Sequence, residues 1–313
     1  MEEAILMNRN TASWKVRRNL SPYVFISPFF ILFAVFMLYP FLFAFVLSFG
    51  KWNGIGEIKW IGFGNYINLL NDKIFLQSIL NGIIEYFMYV PAMLLAALIL
   101  AVILTSQGVK YKNLFRSVIF IPNITSVIAV SYVFLLAFDT EYGLINMLLN
   151  YIGIDKISWF GTPFGARFAI VTLVAWRWLG YNMILMMSGL SNISAELYEA
   201  ARIDGANIVQ IFLRITIPLM KPIILFCCVM STIGTFSLFT EPLVLTGGGT
   251  ANGANPGTAG GPIYTTMTPV LYLYIHSFSY LKMGYAAAIS YAFFIIMFIL
   301  TLIQFRINKA LDK

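Results

Sequence analysis

Few side chains in this sequence could do chemistry, and the spacing of those few rules out most kinds. The single histidine, His276, is separated in sequence from the two cysteines, Cys227 and Cys228, which adjoin each other inside an apolar run. That set does not make a metal site, and two adjacent cysteines offer no disulfide framework. The glycine-rich stretch Gly247–Pro262 carries no charge, lacks a following Gly-Lys-Ser/Thr and follows no strand pattern, so it is not a phosphate loop. No nucleophile–base set is visible. No catalytic residue, no metal and no cofactor is therefore assigned to this chain. Glu85 and Arg177 are different, because both fall inside long apolar runs. A charge in hydrocarbon is costly and usually pairs or faces water. The two could pair with each other, or Arg177 could snorkel toward an interface. Glu241, beside Pro242 at the end of its run, reads as a solvated end residue.

The elements that would position these groups are membrane helices. Sixty per cent of the 313 residues are apolar and 11% charged, against roughly 25% charged in soluble proteins. The net charge of +7 comes with no basic-aromatic patch or nucleic-acid motif. Six runs are long enough to cross hydrocarbon as helices, near 23–49, 79–104, 118–138, 168–190, 223–245 and 285–305. Pro28 and Pro40 are expected to bend the first, which is too long for a signal-peptide core. The expected fold is all-α, with a tail over 1–21, a six-span domain over 22–306, a loop over 191–221 and a tail over 307–313. Thirteen Lys/Arg fall in the two tails and the loops on their side, against five in the opposite loops. The positive-inside rule then places both termini and the 191–221 loop in the cytoplasm.

That loop holds the most informative residues. Ser194 can cap a short helix with Glu196 and Glu199 in its first turns, and Gly205 supplies a left-handed stop. Asn207 can start a second helix bearing Ile208, Ile211, Phe212 and Ile215, closed by Pro218. The first helix is marginal alone in water. It offers Leu197, Tyr198, Ala201 and Ile203 from outside the hydrocarbon, so another surface is expected to cover them.

Glu199-Ala-Ala, three residues, Gly205, nine residues and Ile215-Thr-Ile-Pro218 resemble the EAA loop of ABC-importer permeases. The fuller run from Leu197 to Ala206 is most similar to permeases of carbohydrate importers, the group containing the maltose transporter. Ile217 replaces the family's usual leucine before the proline. The resemblance implies that Leu197, Tyr198, Glu199, Ala200, Ala201, Asp204, Gly205 and Ala206 dock into an ATPase subunit. It implies a bacterial or archaeal inner-membrane permease, partnered by a second homologous permease, two ATPase subunits holding ATP and Mg, and an extracytoplasmic solute-binding protein. The surrounding lipid completes the set, with no nucleic acid. The substrate class implied is a di- or oligosaccharide, with glycerol-phosphate compounds as the alternative.

By the same resemblance, the spans flanking the loop line the solute path. Trp176, Gly180 and Met183 share one helical face, with Tyr181 and Asn182 beside them. Trp176 offers a ring face to a sugar, and Gly180 would leave room for it. Gly234, Thr235, Ser237 and Leu238 form the facing patch, although amides that some relatives carry there are absent. Packing of helices through small residues is the competing reading. Trp60-Ile-Gly-Phe-Gly-Asn-Tyr66 also matches a stretch in similar permeases. Gly247–Pro262 is either a linker or a loop that orders against the binding protein. A secondary transporter would need intramembrane acidic coupling sites, for which Glu85 is the one good candidate.

Overall fold

The computed structural model describes residues 22–106, 108–247 and 259–310. The 1–21 tail, most of Gly247–Pro262 and the last three residues of the C-terminal tail lie outside the described residues. Five helices are long and apolar enough to cross a membrane. They are α1 (Pro22–Leu47), α3 (Lys73–Thr105), α7 (Pro163–Leu190), α9 (Ile208–Phe236) and α12 (Met283–Ala310). Shorter helices are α2 (Gly64–Leu70), α4 (Lys112–Ile124), α5 (Val127–Ala137), α6 (Leu144–Tyr151), α8 (Ala195–Ile203), α10 (Thr240–Thr246) and α11 (Pro269–Tyr274). A two-residue ribbon pairs β1 (Gly50–Lys51) with β2 (Lys59–Trp60), antiparallel.

Two expected spans differ. The third, placed at 118–138, is the broken pair α4 and α5, bent by 92°. Pro122 removes a helix donor, Thr125 is extended at ψ 153, and Ser126 caps the new helix through Ala129 N–H. The fifth, placed at 223–245, begins far earlier at Ile208 and stops at Phe236. Residues 240–246 form the separate α10. The helix was also expected to close at Pro218, yet it runs through it. A widened turn over Phe212–Thr216 lets Ile217 N–H bond Phe212 C=O just before the proline, which removes the clash an ordinary turn would have.

The core lies between α3 and α7. Val90, Ala97 and Ala101 meet Ile170, Leu173 and Val174, all but fully buried. Alanines one turn apart on α3 let the backbones approach closely. At the end away from the 191–207 loop, Trp60–Tyr66 folds back under α1. Asn65 donates to Ser48 C=O and Gly50 C=O at 2.8 and 2.9 Å, and the Tyr66 and Ser48 hydroxyls lie 2.7 Å apart.

Asp72 ties three helices together at that end. It caps α3 through Ile74 and Phe75 N–H and accepts Tyr272 and Tyr285 hydroxyls at 2.5 and 2.6 Å. Burial pushes its carboxyl up, but those phenol and amide donors outweigh it and hold the pKa below the usual 3.8. Asp72→Ala should lower stability by about 2 kcal/mol, from the lost cap and charge-assisted bonds at a half-buried site. Because the folded pKa is depressed, that contribution is present at neutral pH and lost as pH falls through the lowered value. Thermal melts in detergent at neutral and acid pH check both the loss and its direction.

Candidate functional site

The 191–221 loop is built as its residues dictate. Ser194 Oγ accepts from Glu196 N–H at 3.3 Å and opens α8. Arg202 in the last turn and Glu196 in the first both suit the helix dipole. Gly205 takes φ +79, the left-handed conformation, and Ala206 N–H returns to Ala201 C=O at 2.9 Å. Asn207 and Gln210 form a reciprocal capping box with both bonds at 2.8 Å. From there one helix runs without interruption to Phe236.

The loop exposes part of the face the sequence pattern assigned. Leu197 and Ile203 are exposed, with Ile203 at 86%, and so are Glu199, Ala200, Asp204 and Gly205. Ala201, expected to face outward, is buried within the chain. Tyr198 is half-buried, its hydroxyl 3.4 Å from Thr216 Oγ1. Ala206 is half-buried as well. Ile208 and Val209 add exposed apolar surface at the start of α9. A concavity between the two helices is lined by Asp204, Gly205, Gln210, Ile211 and Arg214. The loop therefore offers an apolar ridge beside a polar hollow.

The residues expected to line a solute path divide. Trp176 is exposed at one edge and packs on Phe134, ring centres 5.8 Å apart. Ser237 is exposed at the end of α9. Asn182, Met183, Thr235 and Leu238 are buried. Thr235 Oγ1 donates to Ser231 C=O and lies 2.7 Å from Tyr89 Oη of α3. Asn182 donates to Trp178 C=O at 3.0 Å, while its Oδ1 has no partner among the described residues. Gly180 does not leave an open space. A Cβ there would run into the Ile119 carbonyl, so the glycine lets α4 approach α7. Gly234 is looser, since its Cβ would meet only the Trp178 ring at 3.7 Å.

The charged groups pair otherwise than expected. Arg177 bonds Glu241 at 3.0 Å, and Glu241 is 5% exposed, so it is not a solvated end residue. Glu85 is fully buried and neither of its oxygens has a hydrogen-bond partner among the described residues. Asn81 and Arg167, to which the sequence assigned no role, bond each other at 2.8 Å. An asparagine inside an apolar run was the available signal. His276 sits among Tyr272, Tyr280 and Tyr285, its Nδ1 3.1 Å from Tyr272 C=O.

A multispan helical bundle with a capped helix–turn–helix loop feeding one of its spans is the architecture of an importer permease. Residues 60–313 match the family described as "Binding-protein-dependent transport system inner membrane component", and the chain belongs to that family of ABC-transporter permeases. It is 38% identical over 297 residues to the lactose transport system permease protein LacF of Rhizobium radiobacter, covering 94% of this chain and 96% of the relative. It is 36% identical to the arabinooligosaccharides transport system permease protein AraP of Bacillus subtilis, over 93% of this chain and 89% of that one. Among solved structures, a permease chain of a bacterial ABC transporter that imports the acidic polysaccharide alginate superposes with TM-score 0.78 at 21% identity. That match covers 96% of this chain and 100% of the other, and it supports the fold.

The two path glycines give a direct contrast. Gly180→Leu should block the close approach of α4 and α7 and abolish stable expression, whereas Gly234→Ala should be tolerated because its Cβ makes ordinary contact. Yield and monodispersity in detergent check the pair; equal yields from both would contradict the packing role of Gly180.

Proposed function

We propose that this permease imports a di- or oligosaccharide, by alternating access driven by two partner ATPase subunits that hold ATP and Mg. A second homologous permease completes the translocation unit, and an extracytoplasmic solute-binding protein delivers the sugar. Both termini and the 191–221 loop face the cytoplasm, in line with the lysine and arginine bias. The substrate class rests on relatives whose names specify lactose and arabinooligosaccharides. A glycerol-phosphate compound is the weaker reading, since the names of these relatives specify sugars.

The observation that carries the mechanism is the continuity of α9. It starts at the loop with Ile208 and ends at Phe236, beside Gly234 and Thr235. A displacement of the loop by an ATPase subunit would therefore be transmitted along a rigid helix to the wall of the path. The exposed apolar ridge of Leu197, Ile203 and Ile208 is a surface that a groove on that subunit would cover. Trp176 and Ser237 would meet solute first, because they are already at a surface. Asn182, Met183, Gly180, Gly234, Thr235 and Leu238 would follow only where helices part.

Reconstitution of the four-subunit complex with its binding protein in proteoliposomes tests this reading. Uptake of lactose or arabinose oligosaccharides should require ATP inside or outside according to loop orientation, and should survive collapse of the proton gradient. Uptake that follows the proton gradient and ignores ATP would replace this reading with a secondary transporter.

Two variants examine the loop itself. Gly205→Val puts a β-branched residue at positive φ, a strain of about 1–2 kcal/mol, although nothing crowds the site. It should lower coupled uptake at least tenfold while the chain still inserts. A cysteine at Leu197 should crosslink to an ATPase subunit, whereas one at the buried Ala201 should react poorly. Unhindered labelling of Leu197→Cys by a bulky thiol reagent in the assembled complex would count against docking there.

A further inference from the structure

Two polar side chains fasten three parts of the chain at the end away from the coupling loop. Asn81 on α3 donates through Nδ2 to Tyr264 C=O at 2.7 Å and Met267 C=O at 2.9 Å. Its Oδ1 accepts from Arg167 Nη2 of α7 at 2.8 Å and from Gln77 Nε2 at 2.9 Å. Arg167 Nε donates to Thr265 C=O at 3.0 Å. One amide and one guanidinium thus clasp the 264–267 turn against α3 and α7.

The clasped turn is strained. Ile263 and Tyr264 both hold positive φ, 54 and 56, without being glycine. Such backbone persists only where its surroundings enforce it. Ile263 is 82% exposed, so packing of its side chain does not enforce it. It is held by the turn's own backbone bonds, such as Thr266 N–H to Gly260 C=O, and by the clasp on the carbonyls that follow.

One helical turn from Asn81, on the same face of α3, stands Glu85. It is 0% exposed and neither carboxyl oxygen has a hydrogen-bond partner among the described residues. A buried acceptor left without a donor is destabilising, and more so when charged. Four residues along a helix is a step of about 6 Å. Arg167 already reaches this face of α3 through its bond to Asn81 Oδ1. Arg177, by contrast, is held by Glu241.

We infer that Glu85 is a second seat for Arg167. When the transport cycle opens this end, the 264–267 turn lifts, and Arg167 leaves Thr265 C=O and Asn81 Oδ1. It moves one turn along α3 and donates to the two Glu85 oxygens, a planar donor set meeting a carboxyl. The exchange offsets the loss of the clasp, because it relieves the strained backbone and gives the orphaned carboxyl its donors. Glu85 is then a positioning residue that favours the open end, and it plays no part while the end is closed. This inference rests on the importer reading above.

The test uses the complete complex in nanodiscs with binding protein, comparing wild type, Glu85→Gln and Glu85→Leu. Amide exchange over 260–268 is measured at rest and after trapping with ATP and vanadate. At rest all three should match, with the Thr266 and Met267 amides protected by their bonds to Gly260 and Tyr264 C=O. On trapping, wild type should lose that protection at least tenfold. Glu85→Leu should keep it and lose at least tenfold in sugar uptake, with Glu85→Gln between the two. Wild-type uptake in Glu85→Leu, or reduced uptake with wild-type exchange on trapping, would overturn the second seat while ATPase stimulation by the binding protein still upholds the importer. Absence of that stimulation in wild type would overturn both.

Discussion

Hydrocarbon offers no hydrogen bonds, so every backbone polar group this chain carries inside its spans must find a partner in the chain itself. That constraint accounts for the helices and for how they tolerate proline. In α1 a widened turn over Ala34–Leu38 lets Tyr39 N–H bond Ala34 C=O, and Pro40 follows. In α9 the turn over Phe212–Thr216 does the same for Ile217, and Pro218 follows. In both, the residue before the proline reaches back five positions. The proline ring then avoids the carbonyl it would strike in an ordinary turn, and the helix continues. Where the chain does break, between α4 and α5, Thr125 and Ser126 supply side-chain oxygens to the freed backbone.

The same constraint decides what could be read in the sequence. Length and hydropathy mark the long apolar segments because each must span the membrane alone, and the capping residues Ser194, Gly205 and Asn207 act within a few positions of themselves. Those are local causes. The 92° break near Pro122 was signalled by Pro-Asn-Ile-Thr-Ser, but a run of apolar residues on both sides masked it. The continuation of α9 through Pro218 was not legible, since it depends on a widened turn rather than on residue type. The partner of Arg177 was not legible either. Glu241 lies 64 positions away, and only the return of α10 against α7 brings it to 3.0 Å. At Gly180 the sequence left a ligand and a neighbouring helix as alternatives for the same reason: the residue that fills its space, Ile119, comes from another helix.

Polar satisfaction also fixes which parts of the bundle can move. Asp72, Asn81 and Arg167 bind the segment after α10 to α3, α7 and α12 through side chains from helix ends. Beyond the Asn81–Arg167 bond, the core between α3 and α7 is held by Val90, Ala97, Ala101, Ile170, Leu173 and Val174 in close contact. Apolar contact of that kind is lost gradually as area, whereas a clasp of directed bonds is either made or broken. The end away from the 191–221 loop is therefore built to change in steps, and the α3–α7 pair to travel as a unit.

This division bears on how a push at the loop could act at a distance. The α9 helix joins the loop directly to Thr235, whose hydroxyl binds Tyr89 on α3. Gly82, two turns before Tyr89 on α3, lies against the Phe236 ring so closely that a Cβ would collide with it. Moving α9 must therefore disturb α3 at the level of Asn81 and Glu85, the seat of the clasp. The link needs no long chain of intermediates, because Phe236 is the last residue of the helix that begins beside Gly205. A polar contact and a ring contact, about two turns apart on α3, thus connect the loop end of the molecule to the strained turn at its other end.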